Sequence, residues 1–175
     1  MKGVIIDKNK YIPPDDLLKI RSKLSQEDKQ IFDLLVETGY RVDDVLRVRN
    51  YQLRKNELKL RERKTGNLRT VPIKGDYKVS GGNLEYVFKS RRNRAGDKRK
   101  LHRTTFWRHF EAAVKATGLT GKGYTVHILR KVYAVELYKR TGDVLRVQKD
   151  LGHKNIATTC LYLVGALDAL NHATN

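Results

Sequence analysis

The chain has 175 residues, with 37 Lys and Arg against 19 Asp and Glu, and a formal net charge of +18. This length suits one domain with its own hydrophobic core. So large a positive excess favours a polyanionic partner, because each phosphate that a protein neutralises releases condensed counterions. Charge alone does not distinguish DNA from RNA or from an anionic membrane surface.

Several classes of protein are excluded by what the sequence lacks. The single cysteine, Cys160, rules out an internal disulfide and a cysteine-rich zinc site, and we expect it to be a small buried residue. The five histidines follow no metal-ligand spacing such as H-E-x-x-H. No apolar run approaches the roughly 20 residues that cross a membrane, and the start, MKGVIIDKNK, contains no signal-peptide core. We therefore expect a cytoplasmic protein without a metal site.

The first forty residues predict an irregular start and two helices. Residues 1–12 form an arm or an edge strand, which two prolines end. One of the two aspartates that follow caps a short helix reaching Lys23. Ser25 then opens a longer helix by a capping-box pattern, and Gly39 ends it.

The string T-G-Y-R-V-D-D-V-L follows, starting at Thr38, and predicts a tight turn into another short helix. On the residues alone, Arg41 is a solvated arginine at a helix start. If it is instead buried, it needs a carboxylate partner.

From residue 51 to residue 73 the apolar residues recur with a period of about two, which predicts three short antiparallel strands. These apolar positions are Leu53, Leu58, Leu60, Leu68, Val71 and Ile73. The second turn is K-T-G-N, beginning at Lys64, with glycine for a positive φ. A lysine at a hairpin tip is ordinarily only solvated.

The middle of the chain is strongly basic. Residues 74–82 predict a loop and residues 86–88 a strand, which leads into a run with almost no apolar content. We interpret this run as a phosphate-contacting loop rather than a solvated one, because its basicity is so concentrated. A helix over residues 104–117 follows, ending at Gly118, with Trp107 as a core residue or a phosphate contact. The DNA-binding residues predicted from this basicity are Arg91, Arg92, Arg94, Lys98, Arg99, Lys100 and Arg103.

The last fifty residues contain the most informative spacing. A helix capped by Thr125 opens with H-I-L-R and ends at Gly142, and its histidine and arginine share one face at i and i+3. The string L-G-H ends at His153, and Tyr162 follows nine residues later. Arginine binds phosphate oxygens in a bidentate manner, histidine moves protons and tyrosine can attack phosphorus. Together these side chains suit a phosphodiester.

The ordered set H-I-L-R, L-G-H and tyrosine resembles the signature of the tyrosine recombinase (phage integrase) family. The strings T-G-Y-R and K-T-G resemble two further elements of that family. The string R-T-T-F-W-R-H-F resembles the family's helix that docks against the DNA backbone, which implies DNA contacts from Thr104 and Arg108. The resemblance implies an α+β catalytic-domain fold, mainly helical with a small three-stranded antiparallel sheet. It spans residues 38–163, so we expect residues 1–175 to form a single catalytic domain without a separate N-terminal core-binding domain.

The resemblance also implies a role for each motif residue, with Tyr162 attacking a scissile phosphate to give a 3′-phosphotyrosine. The implied roles of the others are Arg41 and Arg130 as the phosphate clamp, Asp44 as the carboxylate orienting Arg41, His127 in proton removal, His153 as a donor to a phosphate oxygen, and Lys64 as the acid for the 5′ oxygen. The phosphotyrosine conserves the bond energy, so neither a metal nor another cofactor is implied, and no P-loop is present.

The expected partner is double-stranded DNA, on which the protein assembles as a tetramer at paired sites while being a monomer when free. Residues 163–175 predict a short helix that packs on its own domain or on a neighbour. Two alternatives remain: a type IB topoisomerase, which shares the tyrosine chemistry, and a non-catalytic DNA-binding regulator with the same fold. Lys131 departs from many members, which have histidine there.

Overall fold

The structure, a computed structural model, describes residues 11–53, 56–90 and 99–173, the last nine as backbone. These ranges contain seven α-helices and one two-stranded antiparallel sheet. The helices are α1 Pro14–Ser22, α2 Gln26–Thr38, α3 Val42–Val45, α4 Arg103–Ala116, α5 His127–Thr141, α6 Val144–Leu151 and α7 Ile156–Ala173; the strands are β1 Glu57–Arg61 and β2 Leu68–Pro72. The mixed, mainly helical architecture is confirmed.

The helix boundaries follow local chemistry at most termini. The Ser25 side chain accepts a hydrogen bond from the Asp28 amide and so caps α2, which ends at Gly39 with φ of 62°. Asp143 caps α6 in the same way, and α5 ends at Gly142 with φ of 64°. The predicted cap at Thr125 is wrong: Val126 precedes the first turn of α5 and its side chain caps nothing.

The sheet has two strands among the described residues, where three were predicted. β1 and β2 pair in register from Glu57 opposite Pro72 to Arg61 opposite Leu68. Leu53 instead ends a short 3₁₀ turn, Asn50–Gln52, because the backbone amide of Asn50 donates to the carbonyl of Glu85 rather than to a strand. The predicted strand over residues 86–88 is likewise reduced to one isolated bridge, between Tyr86 and Arg49.

The core lies where α5 meets the rest of the chain. α2, α6 and α7 all pack on α5, while α1 packs on α4. Leu129 and Ala134 of α5 and Phe106 and Phe110 of α4 are completely buried. Burying each large side chain stabilises the fold by about 1.5–3 kcal/mol. None of the described helices has the length and apolar content to span a membrane.

The α7 helix corrects one expectation about burial. Thr159 and Leu163, one turn apart, face the core and are buried. Cys160 lies one position round the helix from Thr159 and is therefore exposed, not buried as predicted. The backbone of α7 continues without a break from Ile156 to Ala173, so the tail forms part of a longer helix.

Candidate active site

The turn after α2 carries Arg41, and its first residue, Gly39, has no room for a side chain. Gly39 has a left-handed φ of 62°, and a β-carbon there would lie 2.2 Å from a ring carbon of Tyr133. Glycine therefore lets α2 end directly against α5. The next residue, Tyr40, is completely buried and donates its hydroxyl to the carbonyl of Arg69 at 2.7 Å. These contacts fix the backbone that precedes Arg41.

Glu62, at the end of β1, is the centre of an arginine cluster. Its side chain is completely buried and lies 2.8 Å from Arg41, 3.2 Å from Arg69 and 3.5 Å from Arg130. The Thr65 hydroxyl also donates to it, at 2.8 Å. Burial alone raises the pKa of Glu62, but the bond from Thr65 and the attraction of Arg130 and Arg41 outweigh it, so its pKa lies below the ordinary value.

Arg130 of α5 is held mainly by backbone. Its side chain is 5% exposed and its guanidinium donates to the carbonyl oxygens of Gly39 and Leu151. Burial first, and repulsion from Arg41 second, lower the pKa of Arg130 to about 10. It therefore stays charged at neutral pH, and its fork has a fixed orientation.

The L-G-H turn brings α6 against the hairpin. Leu151 is completely buried, and Gly152 has a left-handed φ of 60°. A β-carbon on Gly152 would lie 3.2 Å from the Asn67 amide nitrogen and 3.4 Å from a Glu62 oxygen. The backbone of His153 then exchanges hydrogen bonds with Gln148 at 3.0 and 3.1 Å. The three residues thus tie the C-terminal end of α6 to the arginine cluster and fix the start of His153.

His153 and Tyr162 are in contact. Their rings meet edge to face with centroids 5.0 Å apart, and the Lys131 ammonium lies 5.4 Å from the Tyr162 ring centre. Nδ1 of His153 lies 2.9 Å from the buried Thr159 hydroxyl. Burial first, and then the charges of Arg130 and Arg41, lower the pKa of His153 to about 4, so this imidazole is neutral at pH 7.

A cleft of about 810 Å³ collects four of the six predicted catalytic residues: Arg41, Lys64, His127 and Arg130. The pKa of His127 is lowered first by partial desolvation of its imidazole ring and then by the positive charges of Arg130 and Arg41. Lys64 lines the same cleft as His127, and its charge lowers the pKa of His127 further. The cleft therefore combines hydrogen-bond donors and positive charge in one place.

Asp44 does not have the partner that was expected. Its carboxylate accepts from Arg47 at 2.7 Å and from the Arg63 amide at 3.0 Å, and it is buried. The partner of Arg41 is Glu62, which sequence reasoning missed. The family resemblance of the T-G-Y-R string pointed to Asp44, three residues from Arg41, whereas Glu62 is 21 residues away and reaches Arg41 through the hairpin. The available signal was that Glu62 follows Leu58 and Leu60 at a spacing of two, which places a carboxylate in line with the apolar face of the strand.

The predicted DNA-binding residues fall into two groups. Arg91, Arg92, Arg94 and Lys98 lie outside the described residues. The rest lie just before α4 or on it. The Arg99 carbonyl accepts from the Ser90 amide at 2.9 Å, and Lys100 forms an isolated backbone bridge with Lys89. Arg103 lies 3.6 Å from Asp43, and Thr104 and Arg108 are exposed. Trp107 is 45% exposed and lines the cleft with Arg103 and Thr104, so it is not a core residue.

The structure thus brings Arg41, Lys64, His127 and Arg130 to one cleft and places His153 in contact with Tyr162. The sequence profile of the phage integrase family matches residues 10–166. The chain belongs to that family. Its α+β fold, with the mainly helical arrangement described above, agrees with that membership.

Curated relatives cover most of this chain. Tyrosine recombinase XerC of Roseiflexus castenholzii is 30% identical in an alignment 170 positions long that covers 85% of this chain and 52% of the relative. Tyrosine recombinase XerA of Pyrococcus horikoshii is 32% identical in an alignment 165 positions long that covers 87% of this chain and 56% of the relative. The chain therefore spans about half the length of these relatives.

Solved structures share the fold. The catalytic domain of bacteriophage HP1 integrase matches with a TM-score of 0.64 and 21% identity, over 87% of this chain and 86% of that one. A crystal structure of XerA recombinase matches with a TM-score of 0.67 and 22% identity, over 87% of this chain and 59% of that one. These similarities show that the chain has the fold of the tyrosine recombinase catalytic domain.

Proposed function

We propose that this protein is a site-specific DNA recombinase that cleaves and rejoins DNA through a 3′-phosphotyrosine intermediate. The observation that carries the proposal is the convergence of Arg41, Lys64, His127 and Arg130 on one cleft. His153 and Tyr162 lie in contact with each other, and Arg130 and Arg41 are near enough to shift the pKa of His153. Membership of the phage integrase family supports the same chemistry.

In this mechanism the Tyr162 oxygen attacks the scissile phosphorus, and the bond from phosphorus to the 5′ oxygen breaks. Arg41 and Arg130 bind the non-bridging oxygens, where negative charge increases in the transition state. Because the carbonyl groups of Gly39 and Leu151 already hold Arg130, little reorganisation is needed during the reaction. Removing such a cation from phosphoryl transfer costs about 10³-fold or more in rate.

Three residues manage protons and hydrogen bonds in the proposed reaction. His127, neutral because its pKa is lowered, assists removal of the tyrosine proton. Lys64, on the hairpin turn, protonates the leaving 5′ oxygen. His153 donates to a non-bridging oxygen: when the Thr159 hydroxyl donates to Nδ1, the imidazole keeps its proton on Nε2, facing the reaction.

The proposed partner is double-stranded DNA, in keeping with the net charge of +18. A lambda integrase of related fold has been solved as a tetramer bound to a Holliday junction. We extend that arrangement to this chain, as a monomer when free and a tetramer on paired sites. The proposed location of the protein is the cytoplasm, in association with DNA.

Covalent trapping tests the proposal. Nicked duplexes of randomised sequence, in which the released fragment diffuses away, are incubated with the protein, and the DNA joined to it is sequenced. We expect adducts at one recurring site, joined through Tyr162, and none from Tyr162→Phe, which removes only the attacking oxygen. The same mutant should keep its DNA affinity, measured by fluorescence anisotropy.

The other outcomes separate the alternatives. Adducts at every sequence, together with relaxation of supercoiled plasmid, would indicate a type IB topoisomerase. Absence of any adduct, with DNA binding intact, would indicate a regulator that keeps the fold. Wild-type adduct levels in Tyr162→Phe would remove Tyr162 from the role.

A further inference from the structure

Glu62 is the one side chain that touches both arginines of the proposed phosphate clamp among the described residues. Its two oxygens divide the contacts: one lies 2.8 Å from Arg41, and the other 3.2 Å from Arg69 and 3.5 Å from Arg130. It is completely buried, so no water competes for these oxygens. A buried carboxylate stays ionised only where several hydrogen-bond donors or cations compensate for the loss of its hydration.

We propose that Glu62 is a positioning residue: its carboxylate holds Arg41 and Arg130 together at the back of the cleft and fixes the turn that carries Lys64. The inference rests on the proposed function, since it concerns how the clamp and the acid reach the same phosphate. It is distinct from the expected role of Asp44, whose carboxylate contacts Arg47 and the Arg63 amide instead.

The first part of the role is to keep two like charges adjacent. Arg41 is the main charge that lowers the pKa of Arg130, so the two guanidinium groups repel each other before any DNA is bound. Glu62 lies between them and attracts both. Without this carboxylate the repulsion would separate the groups, and the more exposed Arg41, with 21% of its side chain accessible, would move most.

The second part of the role concerns the hairpin turn. The Thr65 hydroxyl donates to the same Glu62 oxygen that binds Arg41, and the Gly66 amide donates to the backbone carbonyl of Glu62 at 2.9 Å. Lys64 directly precedes Thr65, so its backbone is fixed relative to the arginines by these two bonds. Glu62 therefore holds both the arginines of the phosphate clamp and the turn that carries Lys64.

Electrostatics and positioning predict opposite effects, which makes the proposal testable. A carboxylate near the reaction repels a phosphate, so its neutralisation by Glu62→Gln would accelerate cleavage if charge alone mattered. If positioning dominates, the same change slows cleavage while DNA affinity stays equal or rises. We expect a fall of about 100-fold in the cleavage rate at saturating DNA, with Kd unchanged or lowered.

A second variant isolates the hairpin part and does not disturb the arginine contacts. Thr65→Val removes the hydroxyl that donates to Glu62 and accepts from the Asn67 amide within the same turn, and we expect a fall of about threefold to tenfold in cleavage. A substrate with sulfur in place of the 5′ bridging oxygen needs no acid, because a thiolate leaves unprotonated. That substrate should restore Thr65→Val to the wild-type rate but leave most of the Glu62→Gln defect, which lies in the clamp.

Controls distinguish positioning from loss of folding. Asp16→Asn removes a carboxylate that is also buried but bonds Lys122 and Tyr124, neither of which lines the cleft. It should lower Tm without changing the cleavage rate per folded molecule, whereas Glu62→Gln should change that rate. Folded fractions come from circular dichroism at the assay temperature.

The outcomes separate this inference from the proposed function. If wild-type protein forms adducts but Glu62→Gln cleaves within threefold of it, or faster, Glu62 does not position the clamp. The hairpin link is overturned if the sulfur substrate leaves the Thr65→Val defect unchanged, a result that remains decisive if Glu62→Gln does not fold. If the wild-type protein forms no adduct with any sequence, the proposed function fails and this role falls with it.

Discussion

Arginine occupies two contrasting environments on the two sides of the cleft. At its back, the side chains of Arg130 and Arg69 are 5% and 9% exposed and bonded to carbonyl groups and to Glu62. At its rim, the Arg103 side chain is 63% exposed and lies 3.6 Å from Asp43. A buried, bonded guanidinium has a fixed geometry and can distinguish a transition state from a ground state. An exposed one acts through a screened field and attracts any phosphate.

The largest effect should come from exchanging arginine for lysine at both places. Arg130→Lys keeps the charge but cannot reach two carbonyl groups and a phosphate with one ammonium. We expect the cleavage rate at saturating DNA to fall by about 100-fold or more, and Arg103→Lys to change it by less than about threefold. Equal losses in single-turnover assays would mean that the two environments do not differ in function.

The next effect tests the backbone that holds the buried group. Gly39→Ala places a methyl group against the Tyr133 ring at a left-handed φ, so we expect a loss of about 3 kcal/mol or more in the free energy of unfolding. Gly118→Ala is the matched control, with φ of 73° and no atom within 4 Å of the added carbon. It should cost only about 1 kcal/mol. Urea titration measures both, and similar losses would show that the close contact is unimportant.

Lowering the pH should destabilise the fold through the partly buried His153. The pKa of His153 is about 4 when folded and near 6.5 when unfolded, so the unfolded chain binds the extra proton between these values and stability falls as pH falls. Glu62, whose pKa is lowered, loses its contribution only below the ordinary carboxyl range. Between pH 6.5 and 5, His153→Gln should therefore lose less stability than wild type, by on the order of 1 kcal/mol after solvent screening. Parallel curves in thermal melts would contradict this.

The smallest effect concerns the rim. Replacing Arg103 and Arg108 with glutamine should weaken binding to all sequences alike and reduce the slope of log K against log salt by about 0.9 for each phosphate that the protein no longer neutralises. The cleavage rate at saturating DNA should change by less than about twofold. A wild-type salt slope in anisotropy titrations would show that these two side chains do not bind phosphate.

Local sequence patterns predicted what local geometry produces. The H-I-L-R spacing placed His127 and Arg130 on one helix face, and glycine ended α2 and α5 where expected. The prediction failed where distant segments decide. Glu62 rather than Asp44 contacts Arg41, because the hairpin brings together residues 21 positions apart. Leu53 is not part of the sheet, because the turn before it is hydrogen-bonded to the loop that contains Glu85. Cys160 was misjudged because composition says nothing of which helix face it occupies.

The way Arg130 is held has a consequence for how this chain tolerates variation. Two of its three partners are main-chain carbonyls, at Gly39 and Leu151, and every amino acid supplies a carbonyl. Random substitution therefore cannot delete those acceptors; it can only move them. A saturation library scored for cleavage should accordingly show intolerance at Gly39 and Gly152, which have no functional group, comparable with that at residues that contact the phosphate. In such a map, the glycines would mark the active site as clearly as the charged residues do.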